Sequence, residues 1–139
     1  MFHKILIAND GSEGAGRALL AAIKLAKIHD AELHMICVEE LPAFPASTGE
    51  IIEEKQEANH IFEAVTRRAA SQAQAEGRKL EAHIVAGHPV SAISGFVERE
   101  GVDLLLVGYM GHSSLYNRLI GSMTARLVEH APCAVLVVK

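Results

Sequence analysis

Cysteine is scarce, basic residues are not in excess, and no long apolar run occurs. Cys37 and Cys133 are the only 2 cysteines among 139 residues, far apart and outside any CxxC spacing. They support neither a disulfide framework nor a zinc site. Lysine and arginine number 13 against 17 aspartates and glutamates, for a net charge of -4 and a pI near 6.0. Binding to a nucleic-acid backbone ordinarily calls for the opposite sign, so no nucleic-acid partner is expected. No apolar run approaches the ~18 residues that span a bilayer. Met1-Phe2-His3-Lys4-Ile5 leads into a strand-like run and lacks the layout of a signal peptide. A cytoplasmic protein without a membrane partner is expected. Linkers, internal repeats and low-complexity segments are missing as well, so residues 1–139 read as a single domain. A chain of this length buries roughly 68% of its unfolded surface and needs no covalent staple.

What is present is an alternation of two periods. Ile5-Leu6-Ile7-Ala8 is a short apolar run ending in the turn residues Asn9-Asp10-Gly11-Ser12. From Gly14 to His29, Ala18, Ala22, Leu25 and Ile28 recur at helical spacing, with Ser12 or Asp10 as the cap. Residues 33–38 read as a second strand. Residues 39–50 hold Pro42, Pro45 and Gly49 without periodicity and read as a long loop. Ser47-Thr48-Gly49-Glu50 fits a capping box for a helix from about Ile51 to Glu76, ended by Gly77. Strands follow at 80–86, 103–107 and 134–138. Between them lie a helix opened by Pro89 and another from Gly121 to His130. The order β-α-β-α-β-α-β-α-β argues for an α/β fold, an open parallel sheet with helices on both faces.

In such sheets ligands sit beyond the carboxyl ends of the strands, where the strand order reverses. The loop after the fourth strand carries the main motif, Gly108-Tyr109-Met110-Gly111, then Gly121-Ser122, written G-x2-G-x9-G-S. Gly108 would let backbone approach a ligand, and Gly111 would permit a turn. Gly121-Ser122 would open a helix whose N–H groups and dipole attract phosphate, with Ser122 and Thr124 adding hydroxyls. The plainer reading is a set of turn glycines. Asp10 reads either as a ligand to ribose, adenine or a hydrated metal, or as a helix cap. Arg118 and His112 lie within the motif and read as surface residues that could meet a phosphate. Walker-type GxxxxGK[ST], dinucleotide GxGxxG, GxSxG and HExxH patterns do not occur. The histidines show no metal-ligand spacing, Cys37 and Cys133 read as small buried residues, and no catalytic residue is assigned.

These features resemble the universal stress protein family, and its ATP-binding subgroup in particular. The resemblance rests on Lys4-Ile5-Leu6-Ile7-Ala8-Asn9-Asp10-Gly11-Ser12, the G-x2-G-x9-G-S loop and His130-Ala131-Pro132-Cys133-Ala134-Val135-Leu136-Val137-Val138, and it covers the whole chain. It implies a Rossmann-like, five-stranded parallel sheet of order 3-2-1-4-5. It implies that Ala8, Asn9, Asp10 and Val38 surround adenine and ribose. It further implies that Val107, Gly108, Met110, Gly111, Gly121, Ser122, Met123 and Thr124 enclose ribose and phosphates. ATP, or AMP or ADP, with Mg or Mn is the implied cofactor. A homodimer through Ala134–Val138 and an unidentified protein partner are the implied assembly. The chain departs from the family pattern at Tyr109-Met110, where Ser-His or Ser-Arg is frequent. It departs again at His112, where a basic residue is frequent, and at Ser113-Ser114. A neutral His112 attracts a terminal phosphate less near pH 7. The function implied is a nucleotide-dependent sensor or switch in the stress response. A weak ATPase and a non-nucleotide interaction module are the alternatives, whereas the paired acids of a phosphoacceptor receiver are missing.

Overall fold

The computed structural model describes residues 1–40, 48–109 and 120–139, and of 48–59 the backbone alone. The expected alternation is present: β1 (Lys4–Ala8), α1 (Glu13–His29), β2 (Glu32–Glu40), α2 (Thr48–Ala75), β3 (Leu80–Gly87), α3 (Pro89–Glu100), β4 (Leu104–Gly108), α4 (Ser122–His130) and β5 (Ala134–Val138). All strands are parallel, in the order β3-β2-β1-β4-β5.

Two boundaries differ from expectation by two residues or more. β2 continues through Glu39 and Glu40 because these residues stay paired, opposite Ala86 and Gly87 of β3. Ladder bonds therefore carry the strand past the point where its apolar pattern stops. α2 begins at Thr48 rather than near Ile51, and Ser47 of the expected capping box lies outside the described residues. Of the two candidates for capping α1, Ser12 takes the role. Its hydroxyl accepts the Ala15 N–H at 3.2 Å.

Strand alternation sends side chains to two separate cores. Ile5, Ile7, Met35 and Leu106 pack under α1 and the end of α2. Leu6, Ile36, Leu105 and Val107 pack under α3 and α4. β1 and β4 are thus apolar on both faces, as expected for strands covered by helices on each side. Each fully buried aliphatic side chain among them contributes roughly 1.5–3 kcal/mol.

The start of β4 is tied to β1 by Asp103. Its carboxylate accepts the His3 and Lys4 N–H groups at 2.8 and 3.0 Å, and its own N–H donates to the Lys4 carbonyl at 3.0 Å. Burial pushes the Asp103 carboxyl up, but the two amide donors outweigh it and hold its pKa below the ordinary 3.8. A depressed pKa contributes stability above the unfolded value that is lost as pH falls through the folded one. Asp103→Asn should therefore destabilise the protein at pH 7 and flatten its loss of stability below about pH 4. Urea melts across pH 2–7 check this.

At the other end of β4, Gly108 meets the first turn of α1. A Cβ on Gly108 would lie 2.8 Å from the Gly14 carbonyl carbon and 3.1 Å from the Ala15 nitrogen. Both are backbone atoms that cannot rotate away. Gly108→Ala is expected to cost about 1–3 kcal/mol, read as a lower urea midpoint.

Candidate functional site

β1 and β4 are neighbours, yet the chain leaves them in opposite directions, toward β2 and toward β5. This reversal opens a crevice beyond their carboxyl ends. A cleft of about 380 Å³ occupies it. That volume lies in the usual range for small-molecule sites, roughly 300–1,000 Å³.

The loop after β1 forms one wall. Asn9 is buried, and its backbone N–H donates to the Ile36 carbonyl at 2.9 Å. Its side-chain oxygen accepts the Gly11 N–H at 2.9 Å. Asp10 Oδ1 accepts the Ser12 N–H at 2.9 Å. Two successive Asx turns therefore shape this loop, helped by Gly11 at a φ of 82°. Asp10 builds the turn ahead of the cap while also lining the cleft.

β2 supplies Ile36, Val38, Glu39 and Glu40, and α2 and α3 add Phe62, Pro89 and Ile93. The opposite wall is the first turn of α4, with Gly121, Ser122, Met123 and Thr124. Its N-cap residue, Gly121, has no side chain to cap it. First-turn N–H groups have no partner inside a helix, and they carry the positive end of its dipole. Gly121 is held by its own N–H, which donates to the Tyr109 carbonyl at 3.0 Å. The two ends of the glycine loop therefore meet. The Thr124 hydroxyl donates to the Gly108 carbonyl at 2.8 Å, so its proton braces β4 against α4.

Ala8, Asn9, Asp10, Val38, Gly121, Ser122, Met123 and Thr124, separated widely in sequence, thus line one cleft. Val107 and Gly108 do not. Val107 is buried beneath α3 and α4, and Gly108 faces the α1 backbone. Met110 and Gly111, together with His112 and Arg118, lie outside the described residues. Glu39, Glu40, Phe62, Pro89 and Ile93 were not legible as site residues. Glu39 and Glu40 sit where the sequence reads as loop, and only the β2–β3 pairing brings them to the cleft.

The electrostatics are uneven. Asp10, Glu39 and Glu40 are acidic, and the described lining holds no lysine or arginine. Glu39 is 9% exposed, and its Oε1 has no hydrogen-bond partner among the described residues. A buried acceptor without a donor costs on the order of 1–3 kcal/mol. Cys37 lies beneath Asp10 on the α1 side of the sheet. Burial pushes its thiol up to about 12, and the Asp10 charge adds to the shift. A thiolate nucleophile is therefore not formed there at neutral pH. The site offers acceptors on the strand side and N–H donors on the helix side, an arrangement suited to holding a ligand with both donors and an anionic group.

The sequence profile of the universal stress protein family matches residues 1–139, and the chain belongs to that family. It is 34% identical to universal stress protein MJ0531 of Methanocaldococcus jannaschii, over 100% of this chain and 83% of that protein. The structure of universal stress protein UspA from Lactobacillus plantarum is similar, with a TM-score of 0.90 at 27% identity, covering 99% of this chain and 98% of that one. A universal stress protein crystallised in complex with cAMP is also similar, with a TM-score of 0.78 at 27% identity, covering 99% and 97% of the two chains. Among the described residues, no helix is long and apolar enough to cross a membrane.

Glu39 Oε1, which has no partner among the described residues, yields a prediction. Glu39→Met should raise the melting temperature of the ligand-free protein, because it removes a buried acceptor that lacks a donor. A lower melting temperature would mean that the carboxylate has a structural partner.

Proposed function

We propose that this protein binds an adenine nucleotide in the cleft and acts as a cytoplasmic, homodimeric stress-response sensor. ATP with Mg or Mn is the favoured ligand, with AMP or ADP as alternatives. The observation that carries this reading is the placement of the α4 N-terminus, with glycine at its cap, opposite Asn9, Asp10 and Glu39 across one cleft. An adenine amine and ribose hydroxyls are donors and suit the carboxylates of Asp10 and Glu39. Phosphates are anions and suit the first turn of α4. The cAMP-bound relative adds support for this ligand class.

The carboxylates also bear on the metal. Three acids beside a polyphosphate would repel it, and a hard divalent cation removes that conflict. Asp10 and Glu40 are oxygen donors of the kind Mg and Mn take, and they would hold such an ion beside the phosphates. Nucleotide occupancy would then order the segments around the cleft and shift the population of a partner-binding state. The reading requires no hydrolysis.

The dimer would form through β5. This strand lies at the sheet edge, with Ala134 exposed and Leu136 40% exposed. An uncovered apolar edge is a template for pairing, and a second copy supplies a matching edge.

The test begins with protein purified without added nucleotide, denatured, and its released small molecules identified by mass. Calorimetric titration with ATP, AMP and cAMP in the presence of magnesium follows, on the wild type and on Gly121→Asp. Gly121 has φ -60° and ψ 145°, a conformation any residue adopts, and aspartate is a good helix cap. The variant should melt no lower than the wild type yet bind ATP at least roughly 100-fold more weakly, through like-charge repulsion at the phosphate. Retained binding would move the phosphate site elsewhere. A flat wild-type titration with all three nucleotides would leave the protein-interaction reading.

A further inference from the structure

We propose that His34, Glu81 and His83 form a binding site for a divalent transition-metal ion, Zn2+ in particular, on the α3 side of β2 and β3. Pairing of the two strands sets His34 opposite Glu81, and His83 lies two residues further along β3 on the same face. One ligand atom from each of the three residues lies within 4.8 Å of the others. His34 Nδ1 is 3.1 Å from His83 Nε2 and 3.3 Å from a Glu81 carboxylate oxygen. Donors at 2.0–2.2 Å around a tetrahedral ion stand about 3.3–3.6 Å apart, so these two spacings lie close to the edges of a coordination tetrahedron, and the third pair stands within 4.8 Å. Two imidazoles and a carboxylate are a ligand set that zinc accepts with water in the fourth place.

The surroundings set the ligand atoms. His34 Nε2 is 3.4 Å from a Glu32 carboxylate oxygen. A proton on Nε2, held by Glu32, leaves the Nδ1 lone pair directed at Glu81 and His83. This is the carboxylate–histidine–metal arrangement that fixes a ligand's tautomer and raises its basicity. The Phe96 ring of α3 packs against both imidazoles, at centroid distances of 4.7 Å to His83 and 6.2 Å to His34. His34 is only 7% exposed, whereas the Glu81 side chain is 57% exposed. The cluster therefore has a rigid inner ligand and an open side through which an ion can enter.

His34 lies two residues before Ile36, the nearest residue of β2 that lines the cleft, roughly 7 Å along the strand. The site is separate from the nucleotide cleft and does not depend on the reading proposed for it. Its two imidazole nitrogens also set it apart from the all-oxygen donors there.

The test uses the full chain, stripped of metal and nucleotide, titrated with zinc chloride in excess magnesium. One Zn2+ per chain should bind saturably, and Co2+ in its place should give the visible spectrum of a four-coordinate ion. His83→Ala should weaken Zn2+ binding at least 100-fold, and Glu81→Gln about 10–100-fold. Glu81 is exposed, so its variant remains informative even if His83→Ala fails to fold. Absence of saturable binding at one ion per chain, or wild-type affinity in either variant, overturns the proposal.

Discussion

The pairing of β1 with β4 is the contact on which the rest of the structure depends. Both strands are apolar on both faces and sit at the centre of the sheet. Right-handed crossovers place α1 and α2 on one side and α3 and α4 on the other. The chain must then leave the two central strands in opposite directions, and the crevice between their ends follows from geometry. Asp103 ties the strands at one end, and the Gly108–Gly14 approach sets their spacing to α1 at the other. None of these residues lines the cleft, yet both contacts decide where its walls stand.

The cleft walls have opposite character. Strand ends present carboxylates and the first turn of α4 presents N–H groups, a polarity that suits a ligand with donors at one end and an anion at the other. Thr124 is turned to bracing the wall, because its hydroxyl is buried beside the Gly108 carbonyl. Glu39 is the reverse case. Its buried oxygen has no donor among the described residues, a local cost that a packed core alone does not explain. Such costs persist where function requires them.

The two candidate sites occupy different parts of one strand. β2 carries Val38 and Glu39 to the cleft and, four to five residues earlier, His34 to the cluster with Glu81 and His83. α3 borders both, through Ile93 at the cleft and Phe96 at the imidazoles. The β2–β3 ladder is therefore more than sheet edge. Its long pairing, continued to Glu40 and Gly87, places charged residues that an apolar pattern would assign to a loop.

The sequence alone determined the element order, the parallel sheet, the Pro89 start of α3 and the crevice-side position of Asn9, Asp10 and Gly121-Ser122. Those features are local: apolar period, turn chemistry and capping act over a few residues and are written in neighbouring positions. Tertiary structure decided what depends on distant strands. It put Glu39 and Glu40 into the cleft and Gly108 against Gly14. It also brought His34 to Glu81 and His83 across 47 and 49 positions of chain. No spacing rule foretells such a cluster, because the register between β2 and β3 is set by side chains on both faces of the sheet at once.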